Sequence, residues 1–197
     1  MYKGQRFSIK PDTFVDADIE YAAKHFPFAK RLFICDGDAL VVPQQRLLAI
    51  LTQIEEKLPQ ITRVGIYANT KGLSMKTVDE LQELRSHGLG ILYVGLESGD
   101  DLTLTAMNKG ADAKKMIAMG QKAKAAKIPL SITVLLGIAG PERSMVHAME
   151  TGRVLSAIDP EYVGALSLML EPGTILYEQY QSGNFAMPEP MALLQEL

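Results

Sequence analysis

Gly95-Leu96-Glu97-Ser98-Gly99 places a carboxylate and a hydroxyl between glycines, directly after the apolar run Ile91-Leu92-Tyr93-Val94. A carboxylate accepts hydrogen bonds from ammonium and hydroxyl groups, and a serine hydroxyl both donates and accepts. This is chemistry for holding a small polar ligand, provided the apolar run is a buried strand that ends at a site. In α/β proteins, ligands collect at the carboxyl ends of parallel strands. Three other apolar runs end in the same manner. Residues 31–36 lead into Gly37-Asp38-Ala39-Leu40, Arg63–Ala68 into Asn69-Thr70-Lys71-Gly72, and Leu130–Leu136 into Gly137-Ile138-Ala139-Gly140.

The elements that position these residues follow from spacing and punctuation. Each run is short, rich in β-branched or aromatic residues and without clean alternation, which predicts strands buried on both faces. Between them, residues 44–58 carry Leu47, Leu48, Leu51, Ile54 and Leu58 on one helical stripe, bounded by Pro43 and Pro59. Ser74 is expected to cap a helix holding Val78, Leu81 and Leu84, closed by Gly88. Asp112 precedes a helix to about residue 127, and Ser144 one to Ile158 before Asp159-Pro160. Residues 162–170 add a strand, Pro172-Gly173 a turn and residues 175–180 a short helix, while a helix over 13–26 precedes the first strand. The alternation predicts an α/β fold with a curved parallel sheet: a partial (β/α) barrel of the TIM kind, forming a single truncated domain over residues 1–197. Since the chain opens on a helix, the first strand of that barrel is expected to be missing. The exposed sheet edge then invites self-association.

Composition narrows the function classes. The 197 residues suffice for one sizeable core, and a net charge of -3 with mixed signs offers no basic face for nucleic acid. Neither a membrane-length apolar run nor a leader or lipidation motif is evident. The single cysteine, Cys35, forms no intrachain disulfide, which suits a reducing cytoplasm. His25, His87 and His147 lack metal-ligand spacing and read as surface or helix-end residues. Met107, Met116, Met119, Met145 and Met149 read as core filler.

Three motifs in this order resemble the radical S-adenosylmethionine (radical SAM) superfamily, in particular a branch with a Gly-Asp-Ala-Leu turn. They are Gly37-Asp38-Ala39-Leu40, then Gly95-Leu96-Glu97-Ser98-Gly99 followed by Met107-Asn108-Lys109-Gly110, then Gly137-Ile138-Ala139-Gly140-Pro141-Glu142. The resemblance extends from Tyr2-Lys3-Gly4 to Gly183-Asn184-Phe185. It implies an Fe-S oxidoreductase that cleaves S-adenosylmethionine reductively at a 4Fe-4S cluster to give a 5'-deoxyadenosyl radical. Such clusters are held by three cysteines in a CxxxCxxC loop after the first strand. This sequence contains neither that loop nor that strand, so it reads as a fragment of a longer enzyme. On its own it is expected to bind no cluster or cofactor and to be inactive.

The resemblance also assigns roles. Gly37 and Asp38 would face the ammonium of S-adenosylmethionine, and Glu97 and Ser98 its ribose hydroxyls or carboxylate. Gly137, Ile138 and Gly140 would border the adenine, Leu168 or Leu170 would cover its other side, and Thr133 would offer a polar contact at mid-strand. Each assignment has a plainer rival. Asp38 could only close a turn, Glu97 could pair with Lys109, and Lys109-Gly110 could end a helix. Two other classes remain open. One is a cluster-free barrel enzyme using Asp36, Asp38 and Glu97 with a divalent metal, and the other is a noncatalytic binding domain.

Overall fold

The computed structural model describes residues 8–35 and 37–197, so Asp36 and the Tyr2-Lys3-Gly4 stretch lie outside the described residues. Five parallel strands lie in the order of the chain: β1 (Arg31–Ile34), β2 (Arg63–Ala68), β3 (Leu89–Glu97), β4 (Leu130–Leu136) and β5 (Tyr162–Ser167). Right-handed crossovers that always step to the next strand place every connecting helix on the same face. Those helices are α2 (Gln44–Lys57), α3 (Thr70–Ser74), α4 (Val78–Ser86), α5 (Asp101–Ala106), α6 (Ala113–Ala125) and α7 (Gly140–Ile158), while α1 (Asp12–His25) precedes β1 and packs on α2. Two shorter ones, α8 (Ile175–Gln181) and α9 (Pro190–Gln195), follow β5. The sheet does not close, and the architecture is a partial TIM-like barrel.

One core lies between the sheet and the helices. Ile66, Leu92, Leu130 and Ile132 meet Leu47 and Leu51 of α2, Leu81 and Leu84 of α4, Ala123 of α6 and Val154 of α7, all buried. Truncating any of the leucines to alanine would cost about 2–5 kcal/mol. The opposite sheet face is only partly covered, which corrects the expectation of strands buried on both sides. On β4, buried Leu130, Ile132 and Val134 alternate with half-buried Ser131, Thr133 and Leu135. Phe33, Tyr67 and Tyr93 share the open face, with ring centroids 4.7 Å apart for Phe33 and Tyr67 and 5.3 Å for Phe33 and Tyr93.

Two helix starts differ from expectation. Thr77, not Ser74, caps α4: its hydroxyl accepts from Glu80 N at 3.1 Å while Glu80 Oε2 accepts from Thr77 N at 2.7 Å. Such a reciprocal capping box outcompetes a lone serine, and Ser74 ends the separate helix α3. Helix α7 begins at Gly140 with Pro141 in its first turn, so Ser144 lies inside it. Met145 and Met149 are exposed on α7 rather than core, whereas Met116 is buried as expected.

Candidate functional site

At the end of β3, the pairing with β4 skips one residue between Gly95 and Glu97, a bulge that re-aims the chain. Glu97 adopts φ 63°, a left-handed conformation that is uncommon for a residue with a side chain. Such outliers concentrate at ligand sites. Its carboxylate folds back over Gly95, where an added Cβ would lie 2.2 Å from Glu97 Oε1. Glycine at 95 is therefore the condition for this placement. Lys109, from the turn after α5, donates to Glu97 Oε1 at 3.0 Å, with both side chains about one-fifth exposed.

After β1, Gly37 takes φ 91° and Asp38 caps the single 3-10 turn Ala39–Val41, accepting from Leu40 N at 3.0 Å through Oδ1. Asp38 Oδ2 is buried without a hydrogen-bond partner of normal geometry. Burial pushes this carboxyl above the usual carboxylate range, against the pull of the Leu40, Asn69 and Gly72 amides and the Lys71 ammonium. A groove of about 420 Å³ reaches Asp38 along β1, between α1 and α2, lined by Val15, Ile19, Ile34 and Ile50 among others.

Ser98 is not turned toward this surface. It is fully buried, and its Oγ accepts from Asp100 N at 3.0 Å and stands 2.8 Å from His147 Nδ1. His147, expected at the surface, is 1% exposed, because its face of α7 packs against the turn after β3. Gly99 makes that approach possible, as a Cβ there would lie 2.3 Å from Glu150 O. Burial lowers the pKa of His147, with Glu196, Asp100 and the Leu135 backbone pulling the other way. His25 is exposed, and His87 stands at the C-terminal end of α4 as expected.

The turn after β4 brings Gly137 at φ 84° and Gly140 at φ 69°. Their open sides face the chain's own C-terminal segment. A Cβ on Gly137 would meet Leu193 at 2.8 Å, and one on Gly140 would meet Phe185 at 3.6 Å. Ile138 is buried, while Leu168 and Leu170 are half-buried just beyond β5. Thr133 pairs in register with Gly95 and Gly164.

Sequence reasoning missed Asp100, which caps α5 through Thr103 N at 3.1 Å and receives both Nε and a terminal nitrogen of Arg143 at 3.0 and 2.8 Å. The Asp-x-x-Thr spacing before a helix was its one local sign. Among the described residues, no group of three or more His, Cys, Asp or Glu side chains could hold a metal ion. The one cysteine, Cys35, is exposed, and a single thiol does not meet the thiolate requirement of an iron-sulfur cluster. No helix among the described residues is long and apolar enough to cross a membrane.

A parallel partial barrel with carboxylates at its strand ends defines the class: an α/β domain of the architecture in which ligand sites collect at the carboxyl edge of the sheet. Residues 2–151 match the Radical SAM superfamily, and the chain belongs to that family. The heme chaperone HemW of Bacillus subtilis is 22% identical over 166 residues, covering 82% of this chain and 42% of that protein. An uncharacterized protein of Methanocaldococcus jannaschii is 30% identical over 141 residues, covering 66% and 43%. Among solved structures, coproporphyrinogen III oxidase of Escherichia coli, described as a radical SAM enzyme, superposes with TM-score 0.68 at 18% identity, over 94% of this chain and 44% of that one. Elp3 of Methanocaldococcus infernus gives 0.67 at 16%, over 92% and 47%. The chain thus spans less than half the length of these relatives.

Proposed function

We propose that this chain is the S-adenosylmethionine-binding part of a radical SAM enzyme whose cluster thiolates are supplied by sequence outside these 197 residues. The observation that carries the reading is the pair of strand-end carboxylates. Asp38 has a buried oxygen with no hydrogen-bond partner of normal geometry, and Glu97 is held in a left-handed conformation at a bulge. In this reading the Gly37-Asp38 turn receives the ligand's ammonium group, and Glu97 receives its ribose hydroxyls. Lys109, paired to Glu97, neutralises that carboxylate until the ligand arrives. Gly137, Ile138 and Gly140 shape the turn beside the adenine, with Leu168, Leu170 and Thr133 along the same edge. Ser98 serves through the protein rather than through the ligand. When bound beside a reduced cluster, S-adenosylmethionine would supply radical chemistry, and these side chains would bind and orient it.

The test is titration calorimetry with S-adenosylmethionine on the longer, cluster-reconstituted enzyme that carries the thiolates, as wild type and as Asp38→Ala and Glu97→Ala. Each loss of a polar partner to an enclosed ligand should weaken binding roughly ten- to a hundredfold, or about 1–3 kcal/mol. His25→Ala, on the surface, is the control and should bind as wild type. Carboxylate variants indistinguishable from wild type would remove the site assignment. Loss of a bound divalent metal instead would favour the cluster-free carboxylate barrel.

A further inference from the structure

Two buried hydrogen-bonded groups, both anchored on α7, lie behind the glycine turns. From the β3 side, Ser98 Oγ reaches His147 Nδ1 at 2.8 Å, and Gly99 N donates to Thr151 Oγ1 at 2.8 Å, itself 3.4 Å from the same ring nitrogen. From the β4 side, Gly137 N donates to Glu196 Oε2 at 2.7 Å, and Ser144 Oγ donates to Glu196 Oε1 at 2.6 Å. Ser144, His147 and Thr151 all stand on α7, so the helix joins the two halves, with His147 Nε2 3.8 Å from Glu196 Oε2, beyond hydrogen-bond length. Ser98, Ser144, His147, Thr151 and Glu196 are all buried.

Bringing a carboxylate from the end of α9 into the interior is costly unless its hydrogen bonds are needed there. The need is visible at the turns. Gly137 and Gly140 adopt positive φ and lack side chains, so they cannot anchor themselves. Glu196 takes the Gly137 amide, and Leu193 fills the space beside its Cα. The turn after β3 is anchored likewise through Ser98, because Ser98 Oγ accepts from Asp100 N and leaves its own hydrogen for His147 Nδ1.

We infer that His147 and Glu196 are positioning residues that lock the turn carrying Glu97 to the turn carrying Gly137–Gly140, so that the C-terminal helix sets the distance between two walls of the ligand site. The inference rests on the proposed function for the identity of the ligand but not for the coupling of the turns.

Amide hydrogen exchange followed by NMR on the 197-residue chain tests the coupling. Glu196→Ala should speed exchange about tenfold or more at Gly137 and, through Ser144 and α7, at Gly99 and Asp100, while Leu92 and Ile132 in the sheet keep their protection. His147→Leu should free the same three amides. His147→Asn, whose amide oxygen can stand in for Nδ1 as acceptor from Ser98, should restore Gly99 and Asp100. Release of Gly137 with Gly99 and Asp100 unchanged would show that the turns are independent and overturn the inference. If Glu196→Ala loses sheet protection altogether, Glu196→Gln, which keeps the shape, decides by the same comparison. In a parallel titration of the longer, cluster-reconstituted enzyme Glu196→Ala should bind S-adenosylmethionine about tenfold more weakly, a change of about 1.4 kcal/mol. A cluster-loaded wild type that binds none would count against the proposed function and leave the exchange result standing.

Discussion

The carboxyl of Asp38 occupies the space that a side chain on Gly72 would need. A Cβ at Gly72 would lie 2.3 Å from Asp38 Oδ2 and 2.7 Å from Oδ1. The start of α3 thus supports the Gly-Asp-Ala-Leu turn, two segments that share no strand. Gly72→Ala should gain about 1 kcal/mol of helix propensity and lose a similar amount by expelling the carboxyl. Chemical denaturation should therefore show little net change, while titration with S-adenosylmethionine shows an affinity loss on the order of tenfold.

Gly95→Ala poses the same question at the other carboxylate. The clash is with the end of the flexible Glu97 side chain, which can swing away. Stability should change by less than about 1 kcal/mol in urea melts, since the main displaced group is a partly exposed carboxylate. Ligand affinity should fall nearly as far as in Glu97→Ala. Equal affinities for Gly95→Ala and wild type would show that the folded-back position of Glu97 is not the binding one.

The pH dependence of stability should report Asp100. Hydrogen bonds from Arg143 hold its carboxyl at about 2, below the ordinary 3.8, with Thr103 assisting and burial opposing. The folded-state value is depressed, so the contribution is full above about pH 4 and is lost as pH falls toward 2. Its size is about 2 kcal/mol by linkage. Urea unfolding of wild type and Asp100→Asn at pH 5 and pH 2.5 should give a gap that narrows at the lower pH.

His147 should act in a different window. Burial lowers its pKa below the ordinary 6.5, so the unfolded chain takes up a proton more readily than the folded one. Stability is complete above that value and declines as pH falls through the range beneath it. His147→Asn should flatten the slope of thermal midpoints between pH 7 and pH 5. An unchanged slope would show that the imidazole does not titrate with unfolding.

Anaerobic reconstitution with iron and sulfide should leave the 197-residue chain without cluster absorbance, because Cys35 is its one thiol. Uptake of four irons per chain would contradict the proposal that the cluster ligands lie outside it.

By itself, the sequence determined the strands, the longer helices and their order, because their signals are local; the short helices α3 and α5 were not foreseen. Apolar stripes at helical spacing, glycine turns after short β-branched runs and a proline on either side of α2 need no distant partner. Parallel order follows from strands that alternate with helices, and the three motifs placed the glycine turns and Glu97. Even capping depended only on neighbours, although Thr77 with Glu80 outcompeted Ser74 through a second hydrogen bond. What the tertiary structure alone decided was where side chains end up. Ser98 and His147 are 49 residues apart, and Gly137 and Glu196 are 59. No periodicity encodes such pairings, so Ser98 read as a ligand contact, His147 as a surface or helix-end residue, and Glu196 drew no reading at all. Each became a buried hydrogen-bonding group because α7 and α9 close over the strand ends, where unpaired polar groups would be expensive. The tight fit of Gly72 against Asp38 has the same origin: it belongs to two turns brought side by side only when β1 and β2 pair.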